Sequence, residues 1–80
     1  MRASEHDHIG TRIAAARLKA GLSQSTLARK SGVNRYTILA IEHGNFRMLG
    51  ADKLFAIADA LRVSARALLG NDAVGKEARG

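Results

Sequence analysis

The chain has 80 residues, which is the length of one domain, and a core of this size gives only modest stability. It contains no cysteine, which excludes disulfide bonds and zinc–thiolate sites, and no apolar run approaches the roughly 18 residues of a membrane span. Thirteen basic and seven acidic residues give a net charge of +6. Because the absence of cysteine fits a reducing compartment, we expect a cytoplasmic protein.

The chain begins with a predicted helix of about residues 7–20, in which apolar residues recur at helical spacing and which Gly21 ends. Ser23 is a good N-cap for a second helix, and Gly32 stops it. Asn34 is a strong N-cap for a third helix. The connection between the second and third helices is therefore only three to four residues long.

The third helix is expected to end at Gly44. A fourth helix is predicted over about residues 51–61, with apolar residues on one face. Ser64 caps a short fifth helix, which Gly70 stops. No strand pattern is found, so the predicted fold is all-α with five helices.

The domain is predicted over residues 7–70, between flexible tails at residues 1–6 and 71–80. We place His6 and His8 in the N-terminal tail, where no fixed scaffold would hold a metal between them. No residues are spaced for nucleophilic or acid–base catalysis. We therefore expect no metal, no cofactor and no enzymatic activity.

The positive charge is confined to one stretch of the chain. Residues 8–41 contain six basic residues and no carboxylate, whereas seven basic and seven acidic residues balance outside it. A field of one sign favours a polyanion as the partner. A solvated face that only keeps the protein soluble explains the charge equally well, so composition leaves both interpretations open.

The short connection between the second and third helices predicts a helix-turn-helix at about residues 23–43. A connection of this length makes two helices cross steeply. Gly32 supplies the positive φ of the turn, and Val33 fills the angle between the helices. A generic helical hairpin has the same features, so the turn alone does not identify the fold.

A longer pattern of apolar, glycine and capping positions runs over residues 9–69: Ile9-Gly10, Arg12-Ile13, Arg17, Gly21-Leu22-Ser23-Gln24, Leu27-Ala28, Ser31-Gly32-Val33, Arg35, Thr37-Ile38, Ile41-Glu42, Gly44, Leu54, Ile57-Ala58, Ala60-Leu61, Val63-Ser64 and Leu68-Leu69. This pattern resembles the phage repressor and Cro-like (XRE-type) family of helix-turn-helix proteins. The resemblance covers about three-quarters of the chain. It implies a lambda-repressor-like domain that binds double-stranded DNA and regulates transcription.

The resemblance implies that the third helix lies in the major groove with its first residues on base edges. Asn34, Arg35 and Tyr36 begin this face, and Ala40 lies one turn further along. Arg35 can donate two hydrogen bonds to guanine. Leu39 and Ala40 stand where relatives often carry polar residues, so few side chains read bases and DNA deformability must contribute. We expect Leu39 to be partly exposed.

Two further sets of residues follow from the resemblance. Phosphate contacts are expected from polar side chains at the start of the second helix and after the third: Ser23, Gln24, Asn45 and Arg47. Arg17 and Glu42 stand where relatives hold a buried ion pair that fixes the angle of the third helix. Two unrelated surface charges are the alternative.

Large apolar residues follow the third helix where relatives often carry a proline. One hypothesis is that Phe46, Met48 and Leu49, with Leu69 at the end of the fifth helix, form a two-fold interface in a homodimer. The alternative is that Met48 and Leu49 tuck under the fourth helix.

The leading functional hypothesis is a regulator that binds an inverted repeat as a homodimer. Controller proteins of restriction–modification systems are similar to this chain in size and fold and form a subclass of this hypothesis. The alternative is an antitoxin or another interaction module, in which a protein partner such as a toxin is bound and DNA binding is secondary. A purely structural helical domain would leave the charge segregation unexplained.

Overall fold

The computed structural model describes residues 8–46 and 48–70 of the chain. In those residues it contains no strand and five helices: α1 (Ile9–Lys19), α2 (Gln24–Ser31), α3 (Arg35–Glu42), α4 (Ala51–Leu61) and α5 (Ala65–Leu69). The prediction of an all-α fold with five helices is confirmed. The tails predicted at residues 1–6 and 71–80 lie outside the described residues, as do His6 and Arg47.

Three of the helices begin at the polar caps that the sequence indicates. The Ser23 hydroxyl accepts from the Thr26 amide at 3.0 Å, and the Ser64 hydroxyl caps α5 in the same way at 3.0 Å. The Asn34 carboxamide oxygen accepts from the Tyr36 amide at 2.7 Å. Each bond satisfies one of the first-turn amides that a helix leaves without an internal partner.

The first helix begins differently from the prediction. His8 is not part of a tail: it is the N-cap of α1, and its Nδ1 accepts from the Thr11 amide at 3.3 Å. Its ring also lies against the backbone of Gly44, close to where a β-carbon on that glycine would stand. This position depends on a contact between the start of α1 and the end of α3, which spacing along the chain does not reveal.

All five helices contribute to one apolar core. Its buried residues are Ile13, Leu27, Val33, Ile38, Ile41, Leu54, Ile57, Ala58, Leu61 and Leu68. Val33 is the member that comes from the turn, and it fills the angle between α2 and α3 as expected. Complete burial of a side chain such as Leu or Ile contributes about 1.5–3 kcal/mol, so this core holds α3 firmly by its inner side.

At one point α1 touches the backbone of α3 directly. A β-carbon on Gly10 would overlap the main-chain carbonyl of Ile41, so only glycine permits this approach. Gly10 therefore sets how closely α1 supports the last turn of α3.

Candidate nucleic-acid interface

The helix-turn-helix is formed by α2, the turn at residues 32–34, and α3. Gly32 adopts a left-handed conformation with φ 76°, and Val33 directs its side chain into the core with 7% exposed. The Val33 amide donates to the Ser31 hydroxyl at 3.2 Å, which satisfies a backbone donor in the turn. These features fix the start of α3 relative to α2.

The third helix has one buried and one open side. Ile38 and Ile41 point into the core and are almost completely buried. Asn34, Arg35 and Tyr36 are all exposed at the other side, and 71% of the Tyr36 surface is accessible. The first turn of α3 is therefore free to meet a ligand as large as a DNA duplex.

The exposed side chains at the start of α3 are partly ordered by each other. The Arg35 guanidinium lies 5.8 Å from the centre of the Tyr36 ring, within the range of a cation–π interaction. The oxygen of the Asn34 carboxamide is used in the helix cap, which leaves its NH₂ group as a donor. This turn thus presents a guanidinium, an amide donor and a phenol.

The later part of the open side is less polar. Ala40 and Leu39 are half-buried, in agreement with the expectation for Leu39. Together with Tyr36, His43 and Asn45 they line a shallow depression on the surface. Ala40 and Asn45, predicted to contact a base and a phosphate, are thus brought to the same side of α3 as Tyr36.

The side chains predicted to contact phosphate are placed differently from one another. The Ser23 hydroxyl accepts the cap bond and donates to the Thr26 hydroxyl at 2.9 Å. Gln24 is half-buried and donates from Nε2 to Glu42 Oε1 at 3.0 Å. Asn45 is exposed, and Arg47 lies outside the described residues.

Arg17 and Glu42 are brought together by the fold. Arg17 Nε donates to Glu42 Oε2 at 2.7 Å, and Arg17 Nη2 donates to Oε1 at 3.1 Å. Only 12% of the Arg17 side chain and 5% of the Glu42 side chain are exposed. Arg17 Nη1 also donates to the Leu22 carbonyl at 2.8 Å. One guanidinium therefore links α1 to the residue before the α2 cap and to the last residue of α3.

This ion pair also shapes the charge of the surface. Residues 8–42 contain six basic side chains and one carboxylate, and Arg17 neutralises that carboxylate. Exposed cations remain on all three helices, at Lys19, Arg29, Lys30 and Arg35. The surface formed by α1 to α3 is therefore positive, as a phosphate backbone requires.

The apolar residues after α3 divide between core and surface. Phe46 and Leu49 are half-buried and pack against the core. Met48 and Leu69 are exposed, with 81% and 45% of their surface accessible. Phe55 on α4, which the sequence did not single out, is also 57% exposed.

Two further residues beside α3 had no functional role assigned from the sequence. A groove of about 310 Å³ between α3 and the following loop is lined by both Thr37 and Lys53, along with apolar side chains of the loop. Thr37 follows Asn34 by three residues and so lies on the same side of the helix, a signal that helical spacing contains. Lys53 belongs to α4, and only the tertiary fold places it there.

Within residues 8–46 and 48–70, no three His, Cys, Asp or Glu side chains lie together as metal ligands would. None of the described helices has the length and apolar character to span a membrane.

The chain is similar in sequence and in structure to known helix-turn-helix proteins. The family model described as "Helix-turn-helix" matches residues 13–68. Among solved structures, the chain is similar to the restriction-modification controller protein C.AhdI from Aeromonas hydrophila. The two share 32% sequence identity and a TM-score of 0.75, over 82% of this chain and 98% of that one. No match was found among curated proteins.

Proposed function

Because this chain belongs to the helix-turn-helix family, as an XRE-type DNA-binding regulator of transcription, we propose that it binds an inverted-repeat operator as a homodimer through the major groove. The observation that carries the proposal is the open first turn of α3. Arg35 and Tyr36 are exposed there while the opposite side of the helix is held in the core. A helix held by one side and polar at its start suits insertion into a groove.

Base recognition is assigned to the first turn of α3. The Arg35 guanidinium matches the two acceptors of guanine, and such a pairing favours its base by about 1–3 kcal/mol. Asn34 can donate from its amide, while Tyr36 and Ala40 offer contacts to a thymine methyl group. With so few donors, the remaining specificity comes from the shape and deformability of the operator.

We assign most of the affinity for DNA to contacts between the protein and the phosphate backbone. Four polar side chains flank α3, the proposed reading helix, in sequence: Ser23, Gln24, Asn45 and Arg47. The exposed cations of α1 to α3 add positive charge to the same part of the chain. Neutralisation of phosphates releases counterions, so binding weakens steeply as salt rises. These contacts orient the protein on DNA without reading its sequence.

We assign the dimer interface to the apolar residues that follow α3, together with the end of α5. Met48 and Leu69 are exposed, and Phe46 and Leu49 line a groove together with Met48. Two copies joined there would place two reading helices in successive major grooves, about 34–36 Å apart. An isologous interface of this kind matches the two-fold symmetry of an inverted repeat.

The similarity to a restriction-modification controller protein supports a narrower role. We propose that this chain likewise controls the expression of restriction–modification genes. The same similarity favours a regulator over the alternative of an antitoxin, for which the described residues provide no specific observation. The function of the genes beside the coding sequence tests this role directly.

The base-reading proposal is tested by selecting bound duplexes from random DNA. The selected sites are expected to have two-fold symmetry. Arg35→Ala should then weaken binding to the selected site more than binding to random DNA, whereas Arg66→Ala, an equal loss of charge on α5, should weaken neither strongly. Equal loss on both duplexes for Arg35→Ala would contradict the role of Arg35.

A further inference from the structure

His43 is an exposed ionisable residue at the far end of the open side of α3. It follows Tyr36 by seven residues and Leu39 by four, a spacing that places side chains on one face of a helix. With Ala40 and Asn45, these residues line the shallow depression on that side. The depression therefore brings an imidazole next to residues proposed to contact a base and a phosphate.

The position of His43 is fixed by the turn that ends α3. The His43 amide donates to the Leu39 carbonyl at 3.1 Å, and the Asn45 amide donates to the Ala40 carbonyl at 2.8 Å. Gly44 lies between them with φ 78°, which lets the chain turn back onto the helix. The imidazole is therefore carried on backbone that is hydrogen-bonded to α3 and keeps its place relative to the first turn.

We propose that His43, in its protonated form, binds a DNA phosphate at the edge of the major groove. The inference rests on the proposed function, in which the first turn of α3 contacts base edges. Seven residues of helix rise about 10 Å, the distance along α3 from Tyr36 to His43, and the major groove is about 12 Å wide. A helix whose first turn reaches the bases therefore has its far end near the phosphates that border the groove.

Protonation changes what an imidazole offers to a phosphate. The neutral ring has one N–H donor, whereas the cation has two donors and a positive charge. A phosphate within hydrogen-bond distance favours the charged form, so DNA binding at this position is coupled to the uptake of a proton. Because histidine changes its charge between about pH 5 and 8, binding should tighten as the pH falls through this range.

The surroundings of the imidazole leave room for a phosphate as its anion. In the described part of the chain no carboxylate lines the depression, and Tyr36 is its other titratable side chain. The Glu42 carboxylate is 5% exposed and is held by the guanidinium from α1, while the His8 ring of α1 contacts the turn after α3. On α2 the basic side chains, Arg29 and Lys30, are in the last turn, which leads to the start of α3 and not to its end.

The pH dependence of DNA binding by matched variants tests the proposal. Binding to the tightest duplex selected from random DNA is measured by fluorescence anisotropy at constant salt, at about pH 8 and about pH 6. His43→Gln keeps a polar side chain that takes up no proton, and His43→Lys carries a charge at both pH values. Both variants retain His6 and His8, so comparison with the wild type cancels the titration of those two residues.

The affinity of the wild type relative to His43→Gln should rise about tenfold from the higher to the lower pH, the value of one hydrogen bond to a charged group. His43→Lys should bind more tightly than His43→Gln by a similar factor at both pH values. A ratio of wild type to His43→Gln that stays constant with pH would overturn the inference and leave the proposed function standing. A selection that recovers no duplex would overturn both.

An imidazole placed elsewhere separates a contact from long-range attraction. Arg66 is exposed on α5, outside the helix-turn-helix. The affinity of Arg66→His relative to Arg66→Gln should change with pH by less than about twofold, because salt screens exposed charges that are far apart. A rise equal to that measured at His43 would overturn the inference, since long-range charge would then account for it.

A second measurement uses the wild-type protein and so does not depend on how well a variant folds. The ring Cε1–H signal of His43 is followed by NMR at about pH 7 while the same duplex is added. We expect the signal to move toward the position of the imidazolium ion on binding. An unchanged signal at saturating DNA would contradict the inference.

Discussion

Arg17→Ala is expected to unfold much of the protein at room temperature. The two side chains of the ion pair are 12% and 5% exposed, so the weak stabilisation of about 0–1 kcal/mol typical of solvated pairs does not apply. Loss of the guanidinium leaves the Glu42 carboxylate buried without its cation, which costs about 3–5 kcal/mol. One small core supplies about 3–5 kcal/mol in total, so the loss equals the whole stability.

Thermal and urea unfolding followed by circular dichroism measure this effect. One kcal/mol corresponds to about 4–8 °C in a domain of this size, so any remaining transition should lie at least about 12 °C below that of the wild type. Arg66→Ala is the matched control, because it removes the same group from an exposed position on α5. Its effect should stay within about 0.5 kcal/mol.

A double variant identifies the source of the loss. Arg17→Met with Glu42→Leu removes both charges, so no ion is stranded, and much of the stability should return. A double variant no more stable than Arg17→Ala would assign the loss to packing and to the Leu22 carbonyl. An unchanged melting temperature for Arg17→Ala would refute the reasoning entirely.

Four further predictions concern single positions. Gly10→Ala should lower the free energy of unfolding by about 1–3 kcal/mol in urea titrations, because its methyl group overlaps a carbonyl of α3; an unchanged midpoint would show that the helices can separate at no cost. Arg62→Gly should raise the free energy of unfolding by up to about 1 kcal/mol in urea titrations, because Arg62 has φ 61° in the left-handed region; a lower free energy would contradict this. Asn34→Asp should keep the melting temperature, since both residues cap well, but weaken duplex binding by anisotropy through repulsion of phosphates; tight binding would remove Asn34 from the interface. Met48→Lys should shift sedimentation equilibrium toward monomer, whereas Leu18→Lys, at another exposed apolar position, should not; equal effects would argue against the proposed interface.

Local signals in the sequence were sufficient for the helices. Ser23, Asn34 and Ser64 are strong caps, and each begins a helix in the structure. The periodic apolar residues of α4 were likewise predicted and are buried. These features depend on residues within one turn of each other, which is why spacing along the chain reveals them.

Features that depend on tertiary contact were predicted less well. His8 is a weak capping residue by type, and its role follows from the fold around it, which brings its ring to Gly44. The bond from Gln24 to Glu42 joins residues 18 positions apart, and no spacing rule predicts it. The position of the Arg17–Glu42 pair came only from resemblance to a family.

The three donors of Arg17 also bear on how the protein is degraded. They join α1 to the start of α2 and the end of α3, so a protease that cuts within α1 takes away a support of both. The remaining fragment would retain the reading residues in its sequence without the scaffold that presents them. A cut within α1 is therefore expected to weaken DNA binding along with the support of α2 and α3.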